Sequence, residues 1–359
     1  MIRELDDSNI LDSLQKASAH CARQSHRALI VQPGAIGDCI LTLPLAHALK
    51  ERFGFGGMDM LAHTDYVGYY PNRTCIDAVM SIDAIDLYRL FVPPAQFNPA
   101  DDDPLINAFS VYALIISFMG TPNSDFETNL IYAAHCTHSA DVVSLELKSS
   151  LPGKSHITGF YGEQFLTQYG AAQDARLVMN REQVLIRAVP TDQQEGRTLL
   201  MQLGVAPSKP LLVIHPGSGG LSKCWCIDNF LAIAEHVQEK DWAVVFLLGP
   251  AELERYTAST LRQIQSVAPV LQACSLEKVL CVLECAHAFA GNDSGVSHMA
   301  GAMGLRTMVI FGSTDANVYR PVGPCVQVFQ AESAAFTQQS SSDLQGSVLA
   351  SLSGFDRHG

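Results

Sequence analysis

Residues 210–222 read Pro-Leu-Leu-Val-Ile-His-Pro-Gly-Ser-Gly-Gly-Leu-Ser, an apolar run that ends in a glycine-rich turn. A helix is expected to follow from about Ile227 to Lys240. Strand, turn and amphipathic helix in that order open an α/β unit, in which helices cover both faces of a parallel sheet. An earlier stretch has the same order: the strand Ala28-Leu-Ile-Val31, the turn Gln32-Pro-Gly-Ala-Ile-Gly-Asp38, then a helix from about Cys39 to Lys50. Further strands are expected near 57–62, 78–82, 113–118 and 141–143 after the first start, and near 243–248, 269–271, 288–291 and 307–310 after the second. Two starts so far apart imply two similar domains, which agrees with 359 residues at roughly 150 per domain.

The boundary is expected between about Arg187 and Lys209, where Pro190 and Pro207 flank one helix over 192–203. The resulting division is an N-terminal extension (1–26), an N-terminal α/β domain (27–188), a linker (189–208), a C-terminal α/β domain (209–335) and a helical tail (336–359). Pro93–Pro104, broken by prolines and carrying an aspartate run, reads as a solvated surface loop. Two such domains facing each other place a ligand in the cleft between them, at the C-terminal ends of the strands.

Composition narrows the function classes. With 48 % apolar and 16 % charged residues the chain forms a core and is neither disordered nor fibrous. No apolar run reaches the roughly 18 residues that would span a bilayer. Residues 1–26 have neither the apolar centre nor the cleavage site of a secretory signal, so the cytoplasm is the expected compartment. Lys and Arg number 23 against 36 Asp and Glu, a net charge of −13. Such a chain lacks the basic face that nucleic acid requires, and membrane contact is expected to be peripheral at most. The ten cysteines form no paired CxxC knuckles, which argues for reduced thiols and against a zinc site.

Three segments could carry chemistry. Gly291-Asn-Asp-Ser-Gly-Val-Ser-His298 leaves a strand and enters a helix of small residues, whose first free amides form an anion site. There Asp293 can accept hydrogen bonds from sugar hydroxyls, and His298 can face an anion or a reacting oxygen; otherwise Asp293 or Ser294 is a helix cap. In His215–Trp225, Gly217, Ser218 and Gly219 free amides near a phosphate and Lys223 supplies a point charge, unless it is a solvated loop lysine. The segment is not a Walker A loop, since Ser222 precedes the lysine and Cys224 follows it. Gly34-Ala-Ile-Gly37-Asp38 lacks the GxGxxG spacing, which disfavours a dinucleotide cofactor. It leaves a carboxylate at the cleft as a general base, a sugar contact or a helix cap.

Taken together, residues 34–54 (GAIGDCILTLPLAHALKERFG), 215–225 (HPGSGGLSKCW), 247–254 (LLGPAELE) and 275–315 (SLEKVLCVLECAHAFAGNDSGVSHMAGAMGLRTMVIFGSTD) resemble glycosyltransferase family 9, the ADP-heptose:lipopolysaccharide heptosyltransferases. The resemblance implies a GT-B fold. Its two Rossmann-like domains face each other across a cleft, acceptor bound mainly by the N-terminal one and nucleotide-sugar, here ADP-heptose, by the C-terminal one. It further implies an inverting, metal-independent transfer that needs no cofactor, onto a hydroxyl of a lipopolysaccharide core or other surface glycan. By the same resemblance Asp38 is the base. Lys223 binds phosphate, with Ser218 and the amides of Gly295 and Val296 beside it, and Asp293 and His298 complete the donor site. Glu252, with Glu254 as competitor, falls at the ribose position, and Cys274 at the adenine edge through its backbone. Gln32 stands where the family often has a basic residue, and Cys224 where it usually has Arg or an aliphatic one. Acceptor choice is expected to lie in loops near 64–72, 120–129 and 155–164. The alternatives are a non-catalytic nucleotide- or glycan-binding scaffold, and a nucleotide-sugar epimerase or hydrolase.

Overall fold

The computed structural model describes residues 26–100, 102–136, 140–148, 155–169, 177–206, 208–331, 336 and 342–353. Of the expected extension over 1–26, only His26 is among them. A five-stranded sheet has the order β3-β2-β1-β4-β5. Its strands are β1 (Arg27–Gln32), β2 (Gly57–Ala62), β3 (Ala78–Ser81), β4 (Tyr112–Ser117) and β5 (Asp141–Ser144), all parallel. A six-stranded sheet follows in the order β11-β10-β9-β6-β7-β8. It comprises β6 (Leu211–His215), β7 (Ala243–Leu248), β8 (Val270–Gln272), β9 (Ala288–Asn292), β10 (Thr307–Phe311) and β11 (Val326–Gln330), again all parallel. Strand β11 has no counterpart among the sequence expectations. It is a half-exposed edge strand of alternating Val-Gln-Val-Phe-Gln, too short and polar to stand out as an apolar run.

Both sheets reverse direction at their first strand. Strand order turns outward from β1 towards β2 and β3 on one side and β4 on the other; β6 likewise separates β7 and β8 from β9. Such switch points open a crevice at the carboxyl ends of the strands, because the two following connections leave on opposite faces. The turns after β1, β6 and β9 lie at these two crevices.

The helix after β1 spans Ile36–Phe53, three residues longer at its start than expected. Asp38 therefore occupies the third helical position, where its Oδ2 accepts the Ala35 N–H at 2.9 Å. An alanine at the cap position gives no local signal of that start. The helix ends at Gly54, in the left-handed region at φ 63°. Pro190 opens the helix Pro190–Gln202, where its missing N–H costs nothing. This helix packs on Leu276–Glu284 so closely that a Cβ at Gly196 would lie 2.0 Å from the Cys281 carbonyl oxygen. Across the halves, Arg73 donates to both Asp192 oxygens (2.7 and 2.6 Å) and to Glu277 (3.0 Å).

Most described residues of Pro93–Pro104 are exposed, as expected of a surface loop, and it contains the short turn Pro94–Gln96. Phe97 and Asp103 depart from that reading: both are buried, and Asp103 caps the helix Pro104–Phe109 and takes a two-point ion pair from Arg89. Of the expected tail, Ser342–Ser353 is a helix; Val348 joins the core of the second sheet beside Phe230 and Phe329.

Candidate functional site

The loop after β6 carries three of the expected groups. Ser218 is buried, and its hydroxyl donates to the Asp293 carbonyl at 2.5 Å. Only its backbone amide is left to meet a phosphate. Lys223, half-exposed at the end of the turn Leu221–Lys223, donates to Asp293 Oδ2 at 2.7 Å. Asp293 is 4 % exposed, and its other oxygen lies 3.6 Å from His298 Nε2. Burial opposes its ionisation, but His298 and Lys223 outweigh that and hold the carboxyl at about 2. Instead of awaiting a sugar hydroxyl, Asp293 is committed to orienting a lysine and a histidine. His298 belongs to the helix Gly295–Ala302, whose N-cap Ser294 accepts the Ser297 N–H. The first intrahelical bond is His298 N–H to Ser294 O, so the Gly295 and Val296 amides precede the ladder as orphan donors.

Glu252 separates itself from Glu254. It is buried, its Oε2 accepts the Gly249 N–H at 2.8 Å, and its Oε1 lies where a Cβ of Gly217 would be, 1.8 Å away. Only glycine fits at 217 against that carboxylate. Glu254 is exposed. Cys274 follows Ala273, which is left-handed at φ 45° and tied by its N–H to the Leu248 carbonyl. Cys274 therefore sits at the carboxyl ends of β7 and β8, the edge where Glu252 also lies; burial pushes its thiol up.

Asp38 comes from the other half. Its Oδ2 is anchored on Ala35, and Oδ1 has no hydrogen-bond partner among the described residues. Gly34 lies under the side chain, with room for no Cβ: one would stand 2.6 Å from Asp38 Cβ and 2.9 Å from Gln32 Oε1. Gln32 is fully buried, donates to Thr42 Oγ1 at 2.7 Å and accepts the Gly34 N–H at 2.9 Å, so it shapes the turn from beneath. The turn then meets the C-terminal half directly. A Cβ on Gly37 would be 3.1 Å from His298 Cδ2, and one on Gly295 would be 2.6 Å from Ile36 Cβ. A continuous path of contacts thus runs from the Asp38 turn through His298 and Asp293 to Lys223.

Four residues outside the sequence-derived set complete the arrangement. Arg255 donates to the Ser218 and Gly219 carbonyls at 2.7 and 2.8 Å, bracing the loop. Asn292, fully buried, donates to the Pro216 carbonyl and accepts the Trp225 N–H, at 2.7 and 3.0 Å, pinning both ends of the loop. Tyr319 lies within electrostatic reach of Asp38, Lys223 and Asp293; burial, then the Asp38 carboxylate, pushes its phenol up. His156 Nε2 donates to the Arg320 carbonyl across the halves (2.8 Å), and burial lowers its pKa to about 4. Their signals are contacts between distant residues, which no spacing rule reveals. Arg255 alone had a local cue, three residues beyond Glu252 on one short helix.

On the Asp38 side a cavity of about 400 Å³ opens at the carboxyl ends of β1 to β4, lined in part by Pro33, His63, Asp83, Asp86, Tyr88 and Phe91. The loop 82–91 dominates this lining, a segment absent from the expected acceptor loops. No group of three or more His, Cys, Asp or Glu side chains among the described residues is arranged to hold a metal ion.

Residues 183–347 match the model of glycosyltransferase family 9 (heptosyltransferase). Over 304 residues the chain is 23 % identical to lipopolysaccharide heptosyltransferase 3 of Escherichia coli (strain K12), covering 79 % of this chain and 82 % of that one. Residues 183–347 therefore carry a glycosyltransferase family 9 domain. The chain is a glycosyltransferase with the GT-B fold. Its structure resembles the ADP-heptose lps heptosyltransferase II of E. coli, with a TM-score of 0.64 at 14 % identity over 91 % of this chain and 98 % of that one. It also resembles the E. coli heptosyltransferase WaaC solved with ADP, with a TM-score of 0.59 at 17 % identity over 91 % and 99 % of the two chains.

Proposed function

We propose that this enzyme transfers heptose from ADP-heptose to a hydroxyl of a lipopolysaccharide core or related surface glycan, with inversion and without a metal. The observation that carries the reading is the seam at which the Asp38 turn abuts His298, and through it Asp293 and Lys223. Asp38 is held by one oxygen and has the other uncommitted, the state a general base requires. In the proposed step Asp38 Oδ1 takes the proton of the acceptor hydroxyl. The hydroxyl oxygen bonds to the anomeric carbon from the face opposite the leaving group, and the bond from that carbon to the diphosphate oxygen breaks. The electron pair leaves with ADP, whose added charge is met by the Lys223 ammonium and the Gly295 and Val296 amides. Glu252 Oε1 is placed for the ribose hydroxyls, and the Cys274 backbone for the base edge. The cytoplasm is proposed as the compartment, supported by the free thiols among the described residues.

Calorimetry of the purified protein with ADP, UDP, GDP, CMP and ADP-heptose, without added metal, tests the donor. Binding confined to ADP and ADP-heptose is expected; preference for UDP or GDP overturns the heptose assignment. Proton NMR of the product's anomeric signal then tests inversion.

A further inference from the structure

The cavity beside the Asp38 turn has a chemistry of its own. Resting on the transfer reading above, we infer that it seats the acceptor as an uncharged, polyhydroxylated sugar ring and selects against acceptors carrying carboxylate or phosphate at that ring. Pro33, His63, Ile82 and Met119 follow β1, β2, β3 and β4, so the cavity floor is the carboxyl edge of the N-terminal sheet. Pro33 belongs to the same turn as Asp38, whose side chain packs over Gly34. The cavity and the proposed base thus share the turn that follows β1.

The wall is the short turn Leu87–Phe91, in which Leu87 and Leu90 are buried as anchors. That leaves Tyr88 and Phe91 facing outward, 70 % and 54 % exposed, and both line the cavity. Phe91 is steadied by Phe126, ring centroids 4.7 Å apart. Two exposed aromatic rings at the rim of a polar cavity suit the apolar face of a sugar ring. Asp83 and Asp86 also line it. Asp86 occupies the cap position of the turn, yet its side chain makes no cap bond. Asp83 meets only the half-exposed His63, at 3.5 Å. Both carboxylates are therefore available to accept hydrogen bonds from hydroxyls.

Among the described residues no Lys or Arg lines the cavity. Arg89, on the same turn, is held by a two-point ion pair with Asp103 and lies within electrostatic reach of Asp86 and Tyr88, but does not itself line the cavity. An anionic ring here would meet two carboxylates and lack a compensating cation, whereas a neutral one has acceptors for its hydroxyls.

The test uses the full chain with ADP-heptose and two acceptors: a neutral heptose-terminated oligosaccharide, and the same oligosaccharide phosphorylated on its terminal sugar. A kcat/KM at least about tenfold higher for the neutral acceptor is expected, the scale of a single charge-assisted hydrogen bond. In the double variant Asp83→Lys, Asp86→Lys the gap should close or reverse, and Tyr88→Ala should raise KM for the neutral acceptor with ADP affinity unchanged. All three side chains are exposed, and circular dichroism checks that the variants fold. Equal or better use of the phosphorylated acceptor overturns the inference. So does failure of the neutral oligosaccharide to bind, by saturation-transfer NMR, to protein that binds ADP-heptose. Failure to bind ADP-heptose at all would instead overturn the donor assignment.

Discussion

The loop after β6 is gripped from several directions. Arg255 holds two of its carbonyls, Asn292 both its ends, Glu252 fills the space over Gly217, and Asp293 steers Lys223. By contrast, the turn after β1 is held almost wholly by itself: Gln32 reaches Gly34 and Thr42, and Asp38 caps Ala35. Both turns sit at a switch point of a parallel sheet, so the difference lies in what each must do. Binding a diphosphate needs several fixed donors whose positions do not drift, and each donor needs its own support. Removing a proton needs one carboxylate at one place, and a short self-capped turn delivers it. A family match over residues 183–347 covers the braced loop, while the cavity proposed for the acceptor lies wholly in residues 33–119.

That contrast predicts unequal consequences. In the self-held turn everything depends on one side chain, so Asp38→Asn should lower transfer by about 10²–10⁴-fold, the range for a lost general base. ADP affinity, measured by calorimetry, should not change; a clear loss would move Asp38 into the donor site and break the comparison. In the braced loop Lys223→Ala should weaken ADP binding by about 1–3 kcal/mol. An unchanged dissociation constant would remove Lys223 from phosphate contact. Arg255→Ala touches only the support of the loop and should cost about 1 kcal/mol of ADP affinity. If Arg255→Ala lowered transfer as much as Asp38→Asn while ADP still bound, the division of labour between the turns would fail.

Much of this was legible because it is local. The strand 243–248 was predicted to the residue, since an apolar run bounded by Trp242 and Gly249-Pro250 has one reading. The turns that carry Gly217, Lys223, Asp293 and Asp38 are legible because glycine beside polar residues at the end of an apolar run marks a strand-to-helix turn. What was missed is non-local or self-satisfied. Asn292 reaches back 76 residues to Pro216, Arg255 reaches 37 to Ser218, and Arg73 reaches forward 119 to Asp192. His298 was expected to face an anion, and Asp293 a sugar. In the fold each faces the other, because two polar groups so deeply buried must first satisfy one another.

The smallest effect concerns pH. His156 is buried, donates to the Arg320 carbonyl between the halves, and is lowered by burial from 6.5 to about 4. Between those values the unfolded chain binds a proton that the folded one refuses, so stability rises with pH there. The contribution is complete above about pH 6.5 and is lost as pH falls through about 4. Urea titrations from pH 4 to 7 should show this slope, and His156→Gln should flatten it; an unaltered slope would assign it elsewhere.

Gly37 and Gly295 set the gauge of the seam by what they lack. A methyl at either position is a wedge: at Gly295 it would meet Ile36 at 2.6 Å, and at Gly37 the His298 ring at 3.1 Å. At Gly37 the ring need give only by a few tenths of an ångström, whereas at Gly295 something must shift. On the proposed reading Gly295→Ala widens the seam while leaving the groups on both banks intact, so a variant that still captures its nucleotide but no longer passes the sugar on would need no chemical group removed.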